Sequence, residues 1–373
     1  PLVSFAQGTE NNNSLKNKNW IYVNVSVVEA NEVNITFSLY NTTSIVNITT
    51  LSAGTRTINW TNLNNGVYFY NVSVIDITNK QNSTETRFIS LDITSPQFSN
   101  LSVSPTNGTT YSSSQLYYFN LTLIDNVAIS NSLLNFNGTN HTLNVSGNNY
   151  YLSFAPLAAG NYTYYFFAND TAGNSNQTAV YEYTILKATP TLTLTASPSW
   201  ISGYGNYIFV NCSADTAEVT PRLYRNGTYV GSSENVTLAG GTYNYTCNNT
   251  ATQNYTSTQV ANISLITSTN TSELLNLSLS NSSVIYGTLT TATGSGCPSQ
   301  LNCTLYRNGT FINWSVGGSV SDTSILGGGS YIYVYNTTGN VNYSSASINS
   351  SLTVSPATPT LNLSLNNYDS NIT

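Results

Sequence analysis

The sequence predicts an all-β protein built from four tandem β-sandwich domains, and three observations carry that prediction. Leu-x-x-Gly-x-Tyr-x-Tyr occurs four times, as Leu63–Tyr70, Leu157–Tyr164, Leu238–Tyr245 and Leu326–Tyr333. Its glycines, Gly66, Gly160, Gly241 and Gly329, stand 94, 81 and 88 residues apart, about the length of one small sandwich domain. Each copy reads as a turn followed by a strand: a leucine to pack, a glycine free to take positive φ, then side chains alternating with period two. Finally, Val, Ile, Tyr and Phe alternate with Asn, Ser and Thr along the whole chain, and helical periodicity is found nowhere.

After a short N-terminal segment, residues 1–7, the first domain spans about residues 8–93. Its alternating runs are Trp20–Val28, Val33–Tyr40, Ser44–Thr50, Arg56–Trp60, Val67–Ile75 and Thr84–Asp92. The Asp92-Ile-Thr-Ser-Pro96 hinge is short and holds a proline, which predicts a stiff connection. The second domain, 94–187, contains Ile124-Asp-Asn-Val-Ala-Ile129 and Asp170-Thr-Ala-Gly-Asn174; Asp76-Ile-Thr-Asn79 is a worn copy of the latter in the first. The third and fourth domains, 188–268 and 269–355, are closer to each other. Tyr204-Gly205 and Leu223-Tyr-Arg-Asn-Gly-Thr228 return as Tyr286-Gly287 and Leu305-Tyr-Arg-Asn-Gly-Thr310 at a constant offset of 82. Asn226-Gly227 and Asn308-Gly309, with Asn137-Gly138 in the second domain, have the signature of type I′ hairpin turns. Residues 356–373 read as a linker and the first strand of a further repeat, because Ala357-Thr-Pro-Thr-Leu361 restates Ala188-Thr-Pro-Thr-Leu192.

Taken together, the Gly-x-Tyr-x-Tyr strand, the Asp-x-Ala-Gly-Asn that follows it, a last strand and a proline-containing linker resemble the tandem Ig-like domains of archaeal and bacterial cell-surface proteins. That resemblance implies spacers, adhesins and surface-layer components rather than one activity.

Composition sets the surroundings. Only 6% of residues are charged and the net charge is −6, so solubility needs a source other than charge. Nine Lys and Arg scattered over 373 residues exclude a nucleic-acid or anionic-membrane footprint. No apolar run approaches the ~18–20 residues of a spanning helix. Methionine is absent, which reads as a processed or excerpted product, and Pro1–Gln7 has the character of the end of a signal peptide with its cleavage site.

About 35 Asn-x-Ser/Thr sequons lie along the chain, roughly twice the chance expectation. In those at Asn24, Asn34, Asn71, Asn120, Asn262 and Asn276 the middle residue is apolar. A strand then sends Asn and the hydroxyl to one face and the apolar residue to the other. With Asn107, Asn137, Asn211, Asn226, Asn244 and Asn308 they are the asparagines expected to carry N-glycans, which would supply the missing solubility. The competing reading is that Asn, Ser and Thr merely fill the solvent faces of the sheets.

Four cysteines in such a chain indicate disulfides and an oxidising exterior. Period two places Cys212 on a face with Ile208 and Val210, and Cys247 in register with Tyr243 and Tyr245. This resembles the inter-sheet disulfide of Ig domains, which implies a Cys212–Cys247 bridge and a corner tyrosine, either Tyr243 or Tyr245. The tryptophan that pattern expects on the adjacent strand is missing, with Tyr224 as its substitute. Gly294 and Tyr335 occupy the aligned positions in the fourth domain, where Cys297 and Cys303 close a small loop instead. The tyrosines opening the four motif strands, Tyr68, Tyr162, Tyr243 and Tyr331, are expected to be structural; Tyr117-Tyr118 and Tyr150-Tyr151 are the exposed pairs where a carbohydrate-binding surface would be sought.

Catalytic chemistry finds little material. His141 is the only histidine and falls in a sequon-dense loop, and the aspartates are scattered: Asp76, Asp92, Asp125, Asp170, Asp215 and Asp322. No cofactor is expected. Asp92, Asp125 and Asp170 fall near a domain junction and could hold Ca²⁺, with turn and cap roles as the alternative. The expectation is an extracellular, N-glycosylated, non-enzymatic rod at an archaeal cell surface, as filament or surface-layer subunit or as adhesin stalk. Its partners would be copies of itself, other surface proteins or a surface glycan, joined by strand addition through Pro1–Ala6 or Thr360–Leu365. The other class is a spacer or carbohydrate-binding module of a secreted carbohydrate-active enzyme.

Overall fold

The computed structural model describes residues 1–269 and 271–361. Apart from a single 3₁₀ turn, Thr271–Glu273, its regular elements are all strands. The chain forms two compact units: Pro1–Ala188 with Gln253–Tyr255, and Thr189–Thr252 with the chain from Thr256 onward. Each unit contains two hydrophobic cores, giving four tandem sandwiches of Ig-like character.

In the first domain, one sheet orders Leu2–Phe5, Ile21–Val28 and Thr57–Trp60. The facing sheet orders Ser14–Lys16, Arg87–Leu91, Gly66–Asp76, Glu32–Asn41 and Ile45–Ser52. Ser14–Lys16 joins Arg87–Leu91 in parallel while its other neighbours run antiparallel, so the opening stretch of the chain serves both sheets in turn. Period two decides what is buried: Ile21, Val23 and Val25 from one sheet meet Ile35, Phe37, Leu39, Val72 and Val74 from the other. The second and third domains repeat the two-sheet plan.

Two expectations change here. Leu2–Phe5 completes its own sandwich, pairing Leu2 with Val28 through Phe5 with Val25, and Val3 is buried. One backbone edge is paired with Ile21–Val28 and its inward side chain packs in the domain's own core, so the strand is already engaged in its own sandwich, with its outer edge lacking a strand partner among the described residues. Thr360–Leu365 lies mostly outside the described residues. The fourth domain also departs from the others, since one strand, Leu289–Arg307, pairs along nearly its whole length with Thr310–Ile325. Its first half joins Asn276–Leu279 and its second half Gly329–Thr337, so a single bent hairpin supplies both layers. Cys297–Cys303 sits at the irregular register in the middle of that strand and not in a loop before it.

The turns follow their chemistry. Asn137-Gly138, Asn226-Gly227 and Asn308-Gly309 all place both residues at positive φ, between 47° and 84°, as type I′ turns demand. Gly66, Gly241 and Gly329 take nearly identical φ of 152°, 151° and 153°.

A second recurrence was not anticipated. Within the first unit, Asn254 Oδ1 accepts the Ala159 N–H at 3.0 Å, and Tyr255 packs edge-on against Tyr111 with centroids 5.6 Å apart. Within the second, Asn342 Oδ1 accepts the Gly240 N–H at 2.9 Å, and Tyr343 packs edge-on against Tyr204 at 5.5 Å. Ala159 and Gly240 hold the same motif position, immediately before the motif glycine. Gly240 is obligatory, since a Cβ there would lie 1.8 Å from the Val341 carbonyl oxygen.

Candidate functional sites

Three chain segments in the first unit bring three carboxylates together. Asp92 directly follows the strand Arg87–Leu91, Asp125 directly follows Tyr117–Ile124, and Asp170 is the last residue of Gly160–Asp170. One carboxylate oxygen from each lies within 4.8 Å of one from each of the others. Asp92 and Asp170 are each 1% exposed and Asp125 is half-buried.

Asp-x-Ala-Gly-Asn explains the local geometry. Asp170 Oδ1 accepts the N–H groups of Gly173 (2.6 Å) and Asn174 (2.9 Å), closing a loop with Gly173 at φ 100°. Asn174 Nδ2 then donates to Asp170 Oδ2 at 2.8 Å and to the Asp92 carbonyl at 3.0 Å. Asn176 Nδ2 adds a bond to the Pro96 carbonyl at 2.8 Å, so both ends of the hinge are gripped. The worn copy in the first domain keeps the loop: Asp76 Oδ1 accepts from the N–H groups of Thr78 and Lys80, and Asn79 takes the glycine's place at φ 58°.

Asp92 Oδ1 accepts from Asn65 Nδ2 (2.8 Å), Asn126 Nδ2 (2.9 Å) and the Thr94 N–H (3.0 Å). Asp125 Oδ1 accepts from the Val127 N–H at 2.9 Å. Asp92 Oδ2 and Asp125 Oδ2 are buried with no hydrogen-bond partner. Among the described residues no ion pair includes any of the three aspartates. Burial pushes the Asp125 carboxyl up, and the charges of Asp170 and Asp92 add to this against the Val127 N–H. Like charges at this spacing repel by roughly 3 kcal/mol per pair at an effective dielectric near 20, less where water screens Asp125. Turn formation accounts for the satisfied oxygens, but not for three carboxylates converging.

The cysteines form Cys212–Cys247 and Cys297–Cys303. Leu223, fully buried, lies directly opposite Cys247, which turns Tyr224 to the other face against Tyr229. Tyr224 therefore does not replace the missing tryptophan; Trp200 packs on Tyr245 with centroids 6.0 Å apart instead. In the fourth domain the bridge is replaced by shape: the Tyr335 ring lies where a Cβ on Gly294 would be, at 2.5 Å.

Tyr68, Tyr162, Tyr243 and Tyr331 make one and the same bond, each donating its hydroxyl to the carbonyl four residues upstream at 3.0, 2.9, 3.1 and 3.0 Å. Tyr243 is thus the corner tyrosine. Tyr245 has another role that sequence reasoning missed: it donates to Glu234 Oε1 at 2.5 Å, while Arg225 pairs with Glu234 Oε2 at 2.9 Å. The fourth domain matches this, with Tyr333 (2.8 Å) and Arg307 (2.5 Å) on Asp322 Oδ2. The shared Tyr-Arg-Asn-Gly segment was the available signal. Burial, then the partner carboxylate, raises the Tyr245 hydroxyl.

None of the twelve sequon asparagines is buried. Asn107, Asn137, Asn226, Asn244, Asn262, Asn276 and Asn308 are exposed; Asn24, Asn34, Asn71, Asn120 and Asn211 are half-buried. Val25, Ile35, Val72, Leu121 and Leu277 point inward beside their asparagines. The Asn262 sequon breaks this rule, with Ile263 57% exposed and Ser264 fully buried, because Ser264 and Ile266 share the inward parity of that strand.

His141 lies on the strand Thr139–Thr142, not in a loop, with its ring edge-on to Phe154 at 5.2 Å. Tyr117 and Tyr150 are buried, so neither tyrosine pair is an exposed double. No helix among the described residues is long and apolar enough to cross a membrane.

No family model matches this chain, and no curated protein matches it. Solved structures similar to it include the fibronectin(III)-like modules of Clostridium thermocellum CbhA, at 12% identity over 50% of this chain and 94% of that one, TM-score 0.30. The N-terminal eight Ig domains of Down Syndrome Cell Adhesion Molecule match at 10% identity over 95% of this chain and 48% of theirs, TM-score 0.24. A mouse coronavirus receptor-binding domain complexed with its murine receptor matches at 17% identity over 46% of this chain and 94% of the other, TM-score 0.31.

Proposed function

We propose that this chain is a non-catalytic structural component of an archaeal or bacterial cell surface, N-glycosylated on its outward faces, serving as a filament or surface-layer subunit or as an adhesin stalk. The observation that carries this reading is the fourfold use of one tyrosine-cornered sandwich in which none of the twelve named sequon asparagines is buried. Disulfides in a chain this poor in charge fit an oxidising exterior. Association with copies of itself or other surface proteins is supported by the edge strand Ile45–Ser52, which exposes Ile45 and Ile48 and leaves one row of backbone groups open to an added strand.

Electron microscopy of native material, beside light scattering of the isolated chain, tests the role. Ordered fibres identify a filament subunit, and single particles carrying a distal head identify a stalk. Diffuse soluble monomers lacking both would sink the proposal.

A further inference from the structure

We propose that Asp92, Asp125 and Asp170 bind one calcium ion at the junction of the first two domains. Three features lead there. Both Asp92 and Asp170 are 1% exposed, so their charges have lost water without gaining a cation from the described residues. Asp92 Oδ2 and Asp125 Oδ2 are buried lone-pair acceptors with no donor, while the partner oxygen of each is anchored by N–H groups. The anchored oxygens fix the orientation and the orphaned ones are left for a ligand. Finally, oxygens on opposite sides of a cation bound at about 2.4 Å are about 4.8 Å apart, the limit within which one oxygen of each carboxylate lies. Mg²⁺, held at about 2.0–2.1 Å in strict octahedral geometry and reluctant to shed its water, suits three carboxylates already tied down by N–H groups less well than the flexible shell of Ca²⁺.

The chemistry selects the ion. Three carboxylates offer hard oxygen ligands with no nitrogen or sulfur donor among them, which suits Ca²⁺ over Zn²⁺ or Cu²⁺. Half-buried Asp125 leaves room for water to complete a coordination number of 6–8. Asp92 belongs to the first domain's end and Asp125 and Asp170 to the second, so the ion ties the hinge that Asn174 and Asn176 already grip. The site is not repeated in the third domain, where Asp215 follows the strand matching Asp125 but the strand matching Gly160–Asp170 ends without an aspartate.

Calorimetric titration of the intact chain with CaCl₂, paired with melting curves in CaCl₂ and in EGTA, tests the assignment. The expected result is a saturable single site with Kd at or below about 10⁻³ M and a higher Tm in calcium, since the ion stabilises only the folded state. Asp125→Asn and Asp92→Asn should each weaken binding at least tenfold and shrink the calcium-dependent Tm shift, while Asp215→Asn leaves both unchanged. No heat and no Tm shift in the native chain would overturn the proposal. So would unchanged calcium affinity in both variants, or an equal response to MgCl₂.

Discussion

At the residue scale, the pair Gly294 and Tyr335 shows how one position solves a packing problem in two ways. In the third domain Cys212 and Cys247 bridge the layers; in the fourth an aromatic ring fills the same space over a bare Cα. Gly294→Ala should therefore destabilise the fourth domain by about 1–3 kcal/mol, read from the denaturant midpoint, because a Cβ 2.5 Å from the ring forces repacking in a close-packed core. The buried tyrosines predict a base-induced transition. Burial lifts Tyr70 and Tyr183 from 10.0 to about 12. Folded values above unfolded ones mean that the stabilisation is complete below pH 10 and is lost as pH rises from 10 to 12. Tyrosinate absorbance and circular dichroism should then change together in that interval; ionisation of all tyrosines with the fold intact would contradict the burial of these hydroxyls. What was legible at this scale was parity. Alternation placed Cys212 and Cys247 inward, but it could not tell which of Tyr224 and Leu223 faced the core, since that depends on the cross-strand partner.

At the scale of elements, the six strands expected in the first domain are present within a few residues, because their apolar alternation is strong. Leu2–Phe5, expected as a strand for a neighbour's sheet, joins its own, and the unanticipated Ser14–Lys16 and Gln81–Ser83 are short and held by neighbours rather than by pattern. The disulfides differ by element too. Cys212–Cys247 closes 35 residues across two strands, and Cys297–Cys303 closes 6 within one. Chain entropy assigns them about 4 and about 2 kcal/mol respectively. Replacing the first pair by alanine should lower the unfolding midpoint more than replacing the second, by thermal or urea melting of the two variants; the reverse order would show native-state interactions outweighing loop length. The carboxylate cluster was only half readable. Its aspartates were visible as residues near a junction, but 33 and 45 positions separate them, and only the fold brings three strand ends together.

For the whole molecule, the sequence reading rests on repetition. Four copies of one motif gave four cores, while the Arg225–Glu234–Tyr245 and Arg307–Asp322–Tyr333 groups emerged only when the sheets were assembled. If the outward asparagines carry glycans, intact mass should fall on chemical deglycosylation toward the 40.3 kDa of the bare chain. Peptide mapping should then place occupancy first on exposed Asn107, Asn137, Asn244 and Asn276, and last on Asn34, whose Oδ1 is buried. A native mass equal to that of the polypeptide would remove the sugar from the account.

The three Asn-Gly hairpin tips also bear on how the protein ages. Asparagine followed by glycine is the pair most prone to lose ammonia, when the glycine nitrogen attacks the side-chain carbonyl and a succinimide forms. Asn226 and Asn308 each have that carbonyl oxygen fastened to a neighbouring strand, by the Asn244 N–H at 2.8 Å and the Ile332 N–H at 2.7 Å. Among the described residues Asn137 is held only through its own backbone N–H, on the Thr163 carbonyl at 2.8 Å. In unglycosylated material kept at mildly alkaline pH, deamidation should begin at Asn137. A sugar on that same nitrogen would close the route, so that glycosylation here would act as a preservative against chemical decay.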